Sequence, residues 1–324
     1  MKRFLALFLI FWGILAACAA PAATRQPPTL RPTAVATAPS PTPRPTLAPP
    51  RPSPTATAPP TPTSAPTATP AEGALGWRFP LRRPIAPPGD SAIAPTYPFG
   101  SDYHGLRPLH RGVDMLNPQG TPVLAAADGV VVFAGEDLAT PVGPMVNFYG
   151  QAVVLEHHLP AQAEPVFTLY GHLASIAVRV GQTVRAGQRL GTVGSRGVAI
   201  GPHLHFEVRL GANAYTATQN PVLWLQPPQK NQGVLALRLT TPQGQPRPRL
   251  AVTVRGLEED LPIRYPQTYA SPTLPGDPRL HENLVLGALP AGRYRLEVTC
   301  CGRLWTREVT IRPQRLTFLA WPLP

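Results

Sequence analysis

Apolar and polar residues alternate in short runs from about Trp77 to the end of the chain, which predicts β-strands. Between residues 77 and 228 glycines separate these runs, and no segment keeps a helical period over four turns. Short runs bounded by turn residues are typical of strands and hairpins, so we expect an all-β fold with an antiparallel β domain here. The runs are TPVLAAADGVVVFAGE, QAVVLEHH, VFTLYGHL, QTVRAGQRLGTVG and HLHFEVRL.

A second series of alternating segments extends from about residue 233 to residue 324. Their period of two predicts a small β-sandwich-like domain. One segment, LPAGRYRLEV, resembles the hairpins of carboxypeptidase-regulatory-like and transthyretin-like modules. We find no catalytic constellation in this region, so we expect it to be an accessory domain.

The N-terminus has a different pattern, in which a basic start precedes an apolar run from Phe4 to Ala17. This run is too short to span a bilayer, and small residues follow it, which predicts a signal peptide over residues 1–17. Its last residues, LAAC, resemble the bacterial lipobox, which implies cleavage before Cys18 and a lipid on Cys18. The alternative is an ordinary signal peptide that happens to contain a cysteine.

Proline, threonine and alanine dominate the next segment, which has no acidic residue before Glu72. Such a composition cannot bury a core, so we expect a disordered or polyproline-like tether of up to roughly 150 Å. The predicted organisation is a signal peptide at 1–17, a tether at 18–72, a first β domain at 73–228 and a β-sandwich-like domain at 233–324.

The chain is strongly basic, with a formal charge of +12 that falls to +10 when Lys2 and Arg3 are removed with the signal peptide. This charge favours anionic surroundings such as wall polymers or lipid headgroups, although arginine-rich genome composition is an alternative explanation. Aromatic residues do not interleave with basic clusters, which argues against nucleic acid. Cys300 and Cys301 are adjacent, so we expect them to pack rather than form a disulfide.

Three short motifs carry candidate chemistry: HRGVD, LYGHL and HLH. On a strand, residues two apart share a face, so His203, His205 and Glu207 would point to the same side. Two imidazoles and one carboxylate suit a catalytic zinc ion with an open fourth position, which acidifies water and polarises a carbonyl. The chain has no H-E-x-x-H helix, so histidines would supply acid–base catalysis. The spacing leaves open whether one or both of His203 and His205 bind metal.

With the glycine-bounded segment VGQTVRAGQRLGTVGSRG, these motifs resemble the LytM/lysostaphin-type peptidoglycan endopeptidases over about residues 97–210. The segment itself is expected to form a hairpin. In three places the sequence departs from the family's pattern, namely at Ser101-Asp102, at FYGQ and in a longer loop over 157–168, and these differences concern bond specificity. The resemblance implies that Zn²⁺ is bound by His110, Asp114 and His205, while His172 and His203 flank water and substrate.

Glu207 could orient a metal ligand or be a polar residue on the solvated face of its strand, and the sequence leaves both open. The remaining histidines are expected outside the catalytic group. We expect His157 and His158 at loop or strand-end positions, His104 in a solvated loop and His281 on the surface.

The resemblance implies a membrane-anchored zinc metalloendopeptidase that hydrolyses peptide cross-bridges of peptidoglycan. It would be exported and held by a lipid on Cys18, with the catalytic domain in the periplasm or cell-wall space. A protein partner of the C-terminal domain is left open. The main alternative is a catalytically silent activator or scaffold for cell-wall amidases.

Two other classes are weaker. A lipoyl- or biotinyl-type carrier needs a lysine at its hairpin tip, and none occurs between Lys2 and Lys230. A D-alanyl-D-alanine carboxypeptidase is a remote alternative, because those enzymes use a wider His-to-Asp spacing and a glutamate base.

Overall fold

The described part of the chain is almost entirely β, in agreement with the all-β expectation. It holds eighteen strands and two short 3₁₀ helices. The predicted signal peptide, the lipidation site Cys18 and the tether at 18–72 lie outside the described residues. The computed structural model describes residues 73–75, 79–139, 142–160 and 162–324.

The N-terminal three-fifths of the described chain contains eleven of these strands and both 3₁₀ helices. The helices are Tyr215–Ala217 and Pro221–Leu223. The strands are β1 (Gly73–Leu75), β2 (Val113–Leu116), β3 (Pro122–Leu124), β4 (Gly129–Glu136), β5 (Gln151–His157), β6 (Val166–Gly171), β7 (Leu173–Ile176), β8 (Thr183–Val184), β9 (Arg189–Val193), β10 (His203–Leu210) and β11 (Thr218–Gln219).

Strand β10 is the centre of the larger sheet in this region. The sheet has the order β11-β10-β6-β5-β4-β8, and β2 pairs with the N-terminal half of β10. A second sheet contains β3, β9 and β7. Because β10 has neighbours on both edges, its side chains are buried from His203 to Arg209. Leu204, Phe206 and Val208 enter the apolar core, while the alternate residues form a polar row.

The prediction of a hairpin around VGQTVRAGQRLGTVG is wrong, because its two strands, β8 and β9, do not pair with each other. β8 pairs with β4 in the larger sheet, whereas β9 pairs with β3 and β7 in the smaller one. Between them the chain turns at Arg185–Gln188, where Gly187 adopts a φ of +84°. The alternating pattern therefore located two strands correctly, but it could not show that each would find a partner elsewhere.

The C-terminal part of the chain contributes seven strands: β12 (Gln232–Thr240), β13 (Thr253–Gly256), β14 (Ile263–Arg264), β15 (Leu284–Pro290), β16 (Gly292–Cys300), β17 (Arg303–Ile311) and β18 (Leu316–Pro322). Together with β1 they form two four-stranded sheets, with the orders β1-β18-β12-β15 and β14-β13-β16-β17. Strands β12 and β18 pair in parallel, and β16 and β17 form a hairpin with nine residue pairs.

One hydrophobic core joins the two β regions. Its buried side chains include Phe206 of β10, Trp224, Val234 of β12, Tyr269 and Phe318 of β18. A second cluster contains side chains from both C-terminal sheets. The two regions therefore share apolar surface that neither could bury alone. The domain limits at 73–228 and 233–324 stay a prediction.

Two further features bear on the sequence expectations. Cys300 and Cys301 are both free, with Cys300 packed against the second cluster and Cys301 exposed. Among the described residues, no helix has the length and apolar character that crossing a membrane requires.

Candidate metal centre

Asp114 and His205 face each other on neighbouring strands. β2 and β10 pair antiparallel in a register that sets Asp114 opposite His205. His110 lies just before β2, and its backbone is fixed on both sides. Its N–H donates to the carbonyl of Ser101 at 2.8 Å, and its own carbonyl accepts from the N–H of Gly100 at 2.8 Å. Backbone pairing thus brings together three residues that are up to 95 positions apart.

The candidate ligand atoms form a nearly equilateral triangle. His205 Nδ1 lies 3.0 Å from Asp114 Oδ1, His110 Nε2 lies 3.2 Å from His205 Nδ1, and His110 Nε2 lies 3.3 Å from Asp114 Oδ1. Zinc binds such atoms at about 2.0–2.2 Å, so the ligands of a tetrahedral site lie roughly 3.3–3.5 Å apart. The triangle is slightly contracted but has the size that a zinc ion requires.

The outer nitrogens of the two imidazoles are already hydrogen-bonded. His110 Nδ1 lies 2.6 Å from the carbonyl of Tyr97, and His205 Nε2 lies 3.2 Å from Glu207 Oε1. When each outer nitrogen donates its proton, the inner nitrogens turn two lone pairs toward the Asp114 carboxylate. Three acceptors so close together repel one another unless a proton or a metal ion lies between them. The donor set therefore fits zinc.

The carboxylate of Glu207 contacts the His205 ring on the side that faces away from the ligand triangle. Glu207 is fully buried and accepts hydrogen bonds from the Tyr149 hydroxyl and from Arg209 Nε at 2.8 Å, in addition to the His205 contact. Burial alone would raise the pKa of Glu207, but the charge of Arg209 and the hydrogen bond to His205 lower it to about 2. Glu207 is thus an ionised carboxylate in contact with a candidate ligand, not a residue on a solvated face.

Arg209 extends this network and was missed in the sequence. Its guanidinium is fully buried and also donates to Asn213 Oδ1 at 2.8 Å and to the carbonyl of Val142 at 3.1 Å. The signal was available, because Arg209 is the next residue on the face shared by His203, His205 and Glu207. Tyr149, which comes from a distant loop, could not be found in this way.

The close contact between His205 and Asp114 shifts the pKa values of both side chains. Burial disfavours a charged His205, but hydrogen bonds to Asp114 and Glu207 outweigh burial and raise its pKa to about 9. Burial likewise disfavours ionised Asp114, yet hydrogen bonds to His110 and His205 hold its pKa well below its usual range. A metal ion entering the triangle would displace the bound proton.

His172 and His203 lie beside the triangle with their Nδ1 atoms occupied. His172 Nδ1 lies 2.7 Å from the carbonyl of Arg196, and His203 Nδ1 lies 3.0 Å from the carbonyl of Gly201. Their ring centroids are 4.7 Å apart, and His203 Nε2 is 3.7 Å from Asp114 Oδ1. Each ring therefore keeps Nε2 free as a proton acceptor.

Both of these histidines favour the neutral state. Burial, with the nearby charges of His205 and His203, lowers the pKa of His172 to about 3. Burial also lowers the pKa of His203, although Asp114 partly opposes this shift. His172 has a φ of +61°, which is uncommon for a residue with a side chain and follows the abrupt end of β6. Neutral imidazoles can accept protons, so these groups suit acid–base chemistry.

A cavity of about 250 Å³ lies beside Arg196. It is bordered by Gly150, Gly197 and the ion pair between Arg196 and Glu136, whose atoms are 3.0 Å apart. The carbonyl of Arg196 accepts the hydrogen bond from His172, but none of the five candidate histidine and aspartate residues lines the cavity.

The other histidines lie outside this cluster. His157 is buried at the end of β5 and contacts Thr168 Oγ1 at 2.7 Å, so it supports the sheet. His158 is exposed beside Glu156, and His104 and His281 are also exposed. The sequence expectation for these four positions agrees with their environments.

The segment that carries His110 is held by the C-terminal region. The N–H of Ala270 donates to the carbonyl of Gly100 at 2.7 Å, and the Gly100 N–H donates in turn to His110. The Tyr269 ring packs edge-to-face on Phe99 at 5.4 Å. Two successive backbone hydrogen bonds therefore connect the C-terminal region to His110, a candidate metal ligand.

A buried triangle of two histidines and one aspartate, with two neutral histidines beside it on an antiparallel sheet, has the donor set typical of hydrolase sites in which a metal ion activates water. Residues 108–218 match Peptidase family M23. Over these residues the chain therefore carries a domain of peptidase family M23, a metallopeptidase family. All five candidate positions lie within it: Asp114 on β2, His203 and His205 on β10, His110 just before β2 and His172 between β6 and β7.

Named relatives match about a third of the chain. DD-carboxypeptidase/endopeptidase Mpg of Neisseria meningitidis is 42% identical over 116 residues, which cover 35% of this chain and 24% of the relative. Peptidoglycan DD-endopeptidase ShyA of Vibrio cholerae is 38% identical over 99 residues, which cover 31% and 20% respectively. The chain thus spans about a quarter or less of the length of these curated relatives.

Solved structures also match, with low TM-scores over the whole chain. A zinc-containing peptidase from Vibrio cholerae is 28% identical, with a TM-score of 0.34, and the match covers 44% of this chain and 38% of the other. The catalytic domain of lysostaphin from Staphylococcus simulans is 29% identical, with a TM-score of 0.30, and the match covers 40% and 86%.

Proposed function

We propose that this protein is a zinc-dependent endopeptidase that cleaves peptide cross-bridges of peptidoglycan. The observation that carries the proposal is the triangle of His110, Asp114 and His205, whose acceptor atoms are 3.0–3.3 Å apart and lack protons between them when the outer nitrogens donate. Zinc bound there would polarise a peptide carbonyl and lower the pKa of a water molecule toward ~7.

The protein's own groups would handle the protons. His203 Nε2 and His172 Nε2 lie beside the ligand triangle and are free to accept a proton from the water that attacks the carbonyl carbon. The resulting imidazolium returns that proton to the leaving amine as the C–N bond breaks. The second imidazole, which is also neutral and has an unprotonated Nε2, would accept a hydrogen bond from the same water and orient it.

Glu207 would hold His205 during this reaction. Its ionised carboxylate accepts from His205 Nε2, so the ring keeps the tautomer that offers Nδ1 to the metal. Arg209, which is fully buried like Glu207, balances the charge of that carboxylate. Peptidoglycan as the substrate is supported by the similar proteins, which include two peptidoglycan DD-endopeptidases of Vibrio cholerae.

We also propose that the protein is exported and lipid-anchored through Cys18, with residues 18–72 as a tether. The LAAC sequence after an apolar run supports this proposal. Labelling of the full-length protein with a fatty-acid analogue in a bacterial host, with Cys18→Ser as the matched variant, tests it. Equal labelling of both proteins would contradict lipidation at Cys18.

The enzymatic proposal is tested by digesting defined cross-linked muropeptides with the full-length zinc-loaded protein and identifying the products by mass. We expect His205→Ala to lose zinc and activity together. His172→Ala and His203→Ala should keep zinc but lose hydrolysis. His281→Ala, at an exposed site in the C-terminal region, is the control and should behave like the unaltered protein. Zinc binding without hydrolysis of any muropeptide would favour a silent activator of cell-wall amidases.

A further inference from the structure

A second cavity lies where the segment before His110 meets the C-terminal region. Its volume is about 230 Å³, and neither wall belongs to the candidate metal centre. One wall comes from residues 95–104 and the other from Arg249 and residues 265–270. Residues 108–218, which match the peptidase family, contribute nothing to it. The cavity is therefore a property of how this chain combines its two β regions.

The two walls are fixed to each other. Arg249 of the C-terminal region pairs with Asp102 of the opposite wall, and the Ala270 N–H donates to the Gly100 carbonyl at 2.7 Å. The Tyr269 ring, behind the cavity, is fully enclosed and receives a hydrogen bond from Asn220 at 3.0 Å. The cleft is thus preorganised, so a ligand would not have to order it.

Aromatic faces are available at the mouth of the cavity. Tyr265 is 73% exposed and Tyr103 is 40% exposed, which is high for side chains of this size. The Arg107 guanidinium lies 4.7 Å from the centroid of the Tyr103 ring and steadies it. The face of an aromatic ring is apolar and carries partial negative charge, so it packs well against the C–H groups of a flat ligand.

The polar groups of the lining indicate a neutral ligand. The lining carries one acidic and one basic side chain, Asp102 and Arg249, and these neutralise each other. The exposed amide of Gln267 offers an uncharged donor and acceptor, and the His104 ring also lines the cavity. An anionic or cationic ligand would meet no net opposite charge here.

We propose that this cleft binds an N-acetylated sugar of a neutral glycan strand. A sugar ring presents a C–H face to an aromatic side chain and hydroxyl and amide groups to polar neighbours, which is the combination that the lining offers. The cavity is smaller than the ~300–1,000 Å³ of pockets for drug-sized ligands, so it suits a single ring of a chain that continues into solvent.

The inference rests on the proposed function for its biological meaning. Ser101 borders the cleft and accepts a hydrogen bond from the backbone of His110, so the cleft adjoins the metal centre. A sugar bound in the cleft would belong to the same substrate as the cross-link that the metal centre is proposed to cleave.

Titration of the full-length protein with N,N′,N″-triacetylchitotriose, a neutral oligomer of N-acetylglucosamine, tests the proposal. We expect saturable binding that Tyr265→Ala weakens roughly tenfold or more, while Tyr265→Phe keeps it, because the ring face is what contacts the sugar. Gln267→Ala should also weaken binding, and cellotriose, which lacks acetamide groups, should bind more weakly. Leu304→Ala, at a 57% exposed position on β17, is the control and should change nothing.

Because Tyr265 is largely exposed, its replacement should leave the fold intact, so a change in binding reports on the ring itself. No saturable binding at millimolar sugar, or equal binding by the Tyr265→Ala variant, would overturn the proposal. Because the titration needs neither zinc nor hydrolysis, it separates the two proposals. Sugar binding without muropeptide cleavage would leave the cleft assignment standing and remove the endopeptidase, and cleavage without sugar binding would do the reverse.

Discussion

The two β regions differ in net charge and in how deeply their charged side chains are buried. Residues 79–228 contain nine arginines and nine acidic residues, a net charge of zero, whereas residues 229–324 contain thirteen basic and seven acidic residues, a net charge of +6. Yet the electrically balanced region holds the buried network of His205, Glu207 and Arg209. The basic character of the whole chain therefore does not indicate where the chemistry lies; buried and paired charges do.

The cost of charge also differs between the regions. Glu207 and Arg209 are both fully buried, so each depends on the other to offset lost hydration. Arg295 and Glu308 of the C-terminal region are paired at 3.1 Å but half-exposed, where such pairs contribute only ~0–1 kcal/mol. Perturbing the two regions should therefore give effects of very different size.

Removing residues 229–324 is expected to have the largest effect. Deletion takes away seven side chains of the shared core, and each large apolar group contributes about 1.5–3 kcal/mol by burial. This loss is comparable to the whole stability of a typical domain, ~5–15 kcal/mol. The fragment 79–228 should show no cooperative unfolding transition by calorimetry. A cooperative transition together with zinc binding would instead establish two independent domains.

Replacing Arg209 with methionine tests the buried network. Arg209→Met leaves the Glu207 carboxylate buried without its partner, which should cost about 3–5 kcal/mol in chemical denaturation. Because Glu207 orients His205, zinc affinity should also fall about 10–100-fold in chelator competition. Arg295→Met is the matched control, and its surface pair should change stability by less than about 1 kcal/mol. Unchanged zinc affinity in Arg209→Met would show that Glu207 holds His205 without it.

A smaller effect, visible through pH, is expected at Glu282 in the C-terminal region. Burial, with the charge of Asp277, raises its pKa from 4.5 to about 8, while hydrogen bonds from Asp277 and Tyr269 limit the shift. The folded protein therefore keeps a proton that the unfolded chain loses above pH 4.5. Stability from this group is complete below pH 4.5 and is lost progressively as the pH rises to about 8.

Glu282→Gln should remove this dependence. Relative to the unaltered protein, the variant should gain roughly 2–4 kcal/mol of unfolding free energy between pH 5 and pH 8. Glu259→Gln, at an exposed acid, should show no such trend. Parallel stability curves for Glu282→Gln and the unaltered protein would mean that Glu282 is ionised in the fold.

The sequence predicted those parts of the site that depend on local geometry. Alternation along β10 predicted that His203 and His205 share a face, and the fold has this arrangement. The groups that orient the rings were not visible, because the carbonyls of Tyr97 and Arg196 carry no side-chain signal. The same limit explains the hairpin that does not form, since a strand's partner depends on distant residues.

The contact between the two β regions could not be predicted from the sequence for a similar reason. Tyr269 and Ala270 lie in the region that was expected to be an accessory domain, yet they support the segment that carries His110. Two separate cores were the natural expectation from two separate alternating patterns. Shared burial is a property of the assembled fold, and periodicity within either region does not report it.

The pairing of β1 with β18 has a mechanical consequence. A pull on the chain from before residue 73 enters the described fold through β1, which holds β18 over three residues, Gly73 to Leu75. β18 is itself held to β12 over seven residues, so β1 detaches first. Its release adds about 10 Å of extended chain. If Cys18 anchors the protein, growth or strain of the surrounding wall would lengthen the connection before it could distort the centre around Asp114.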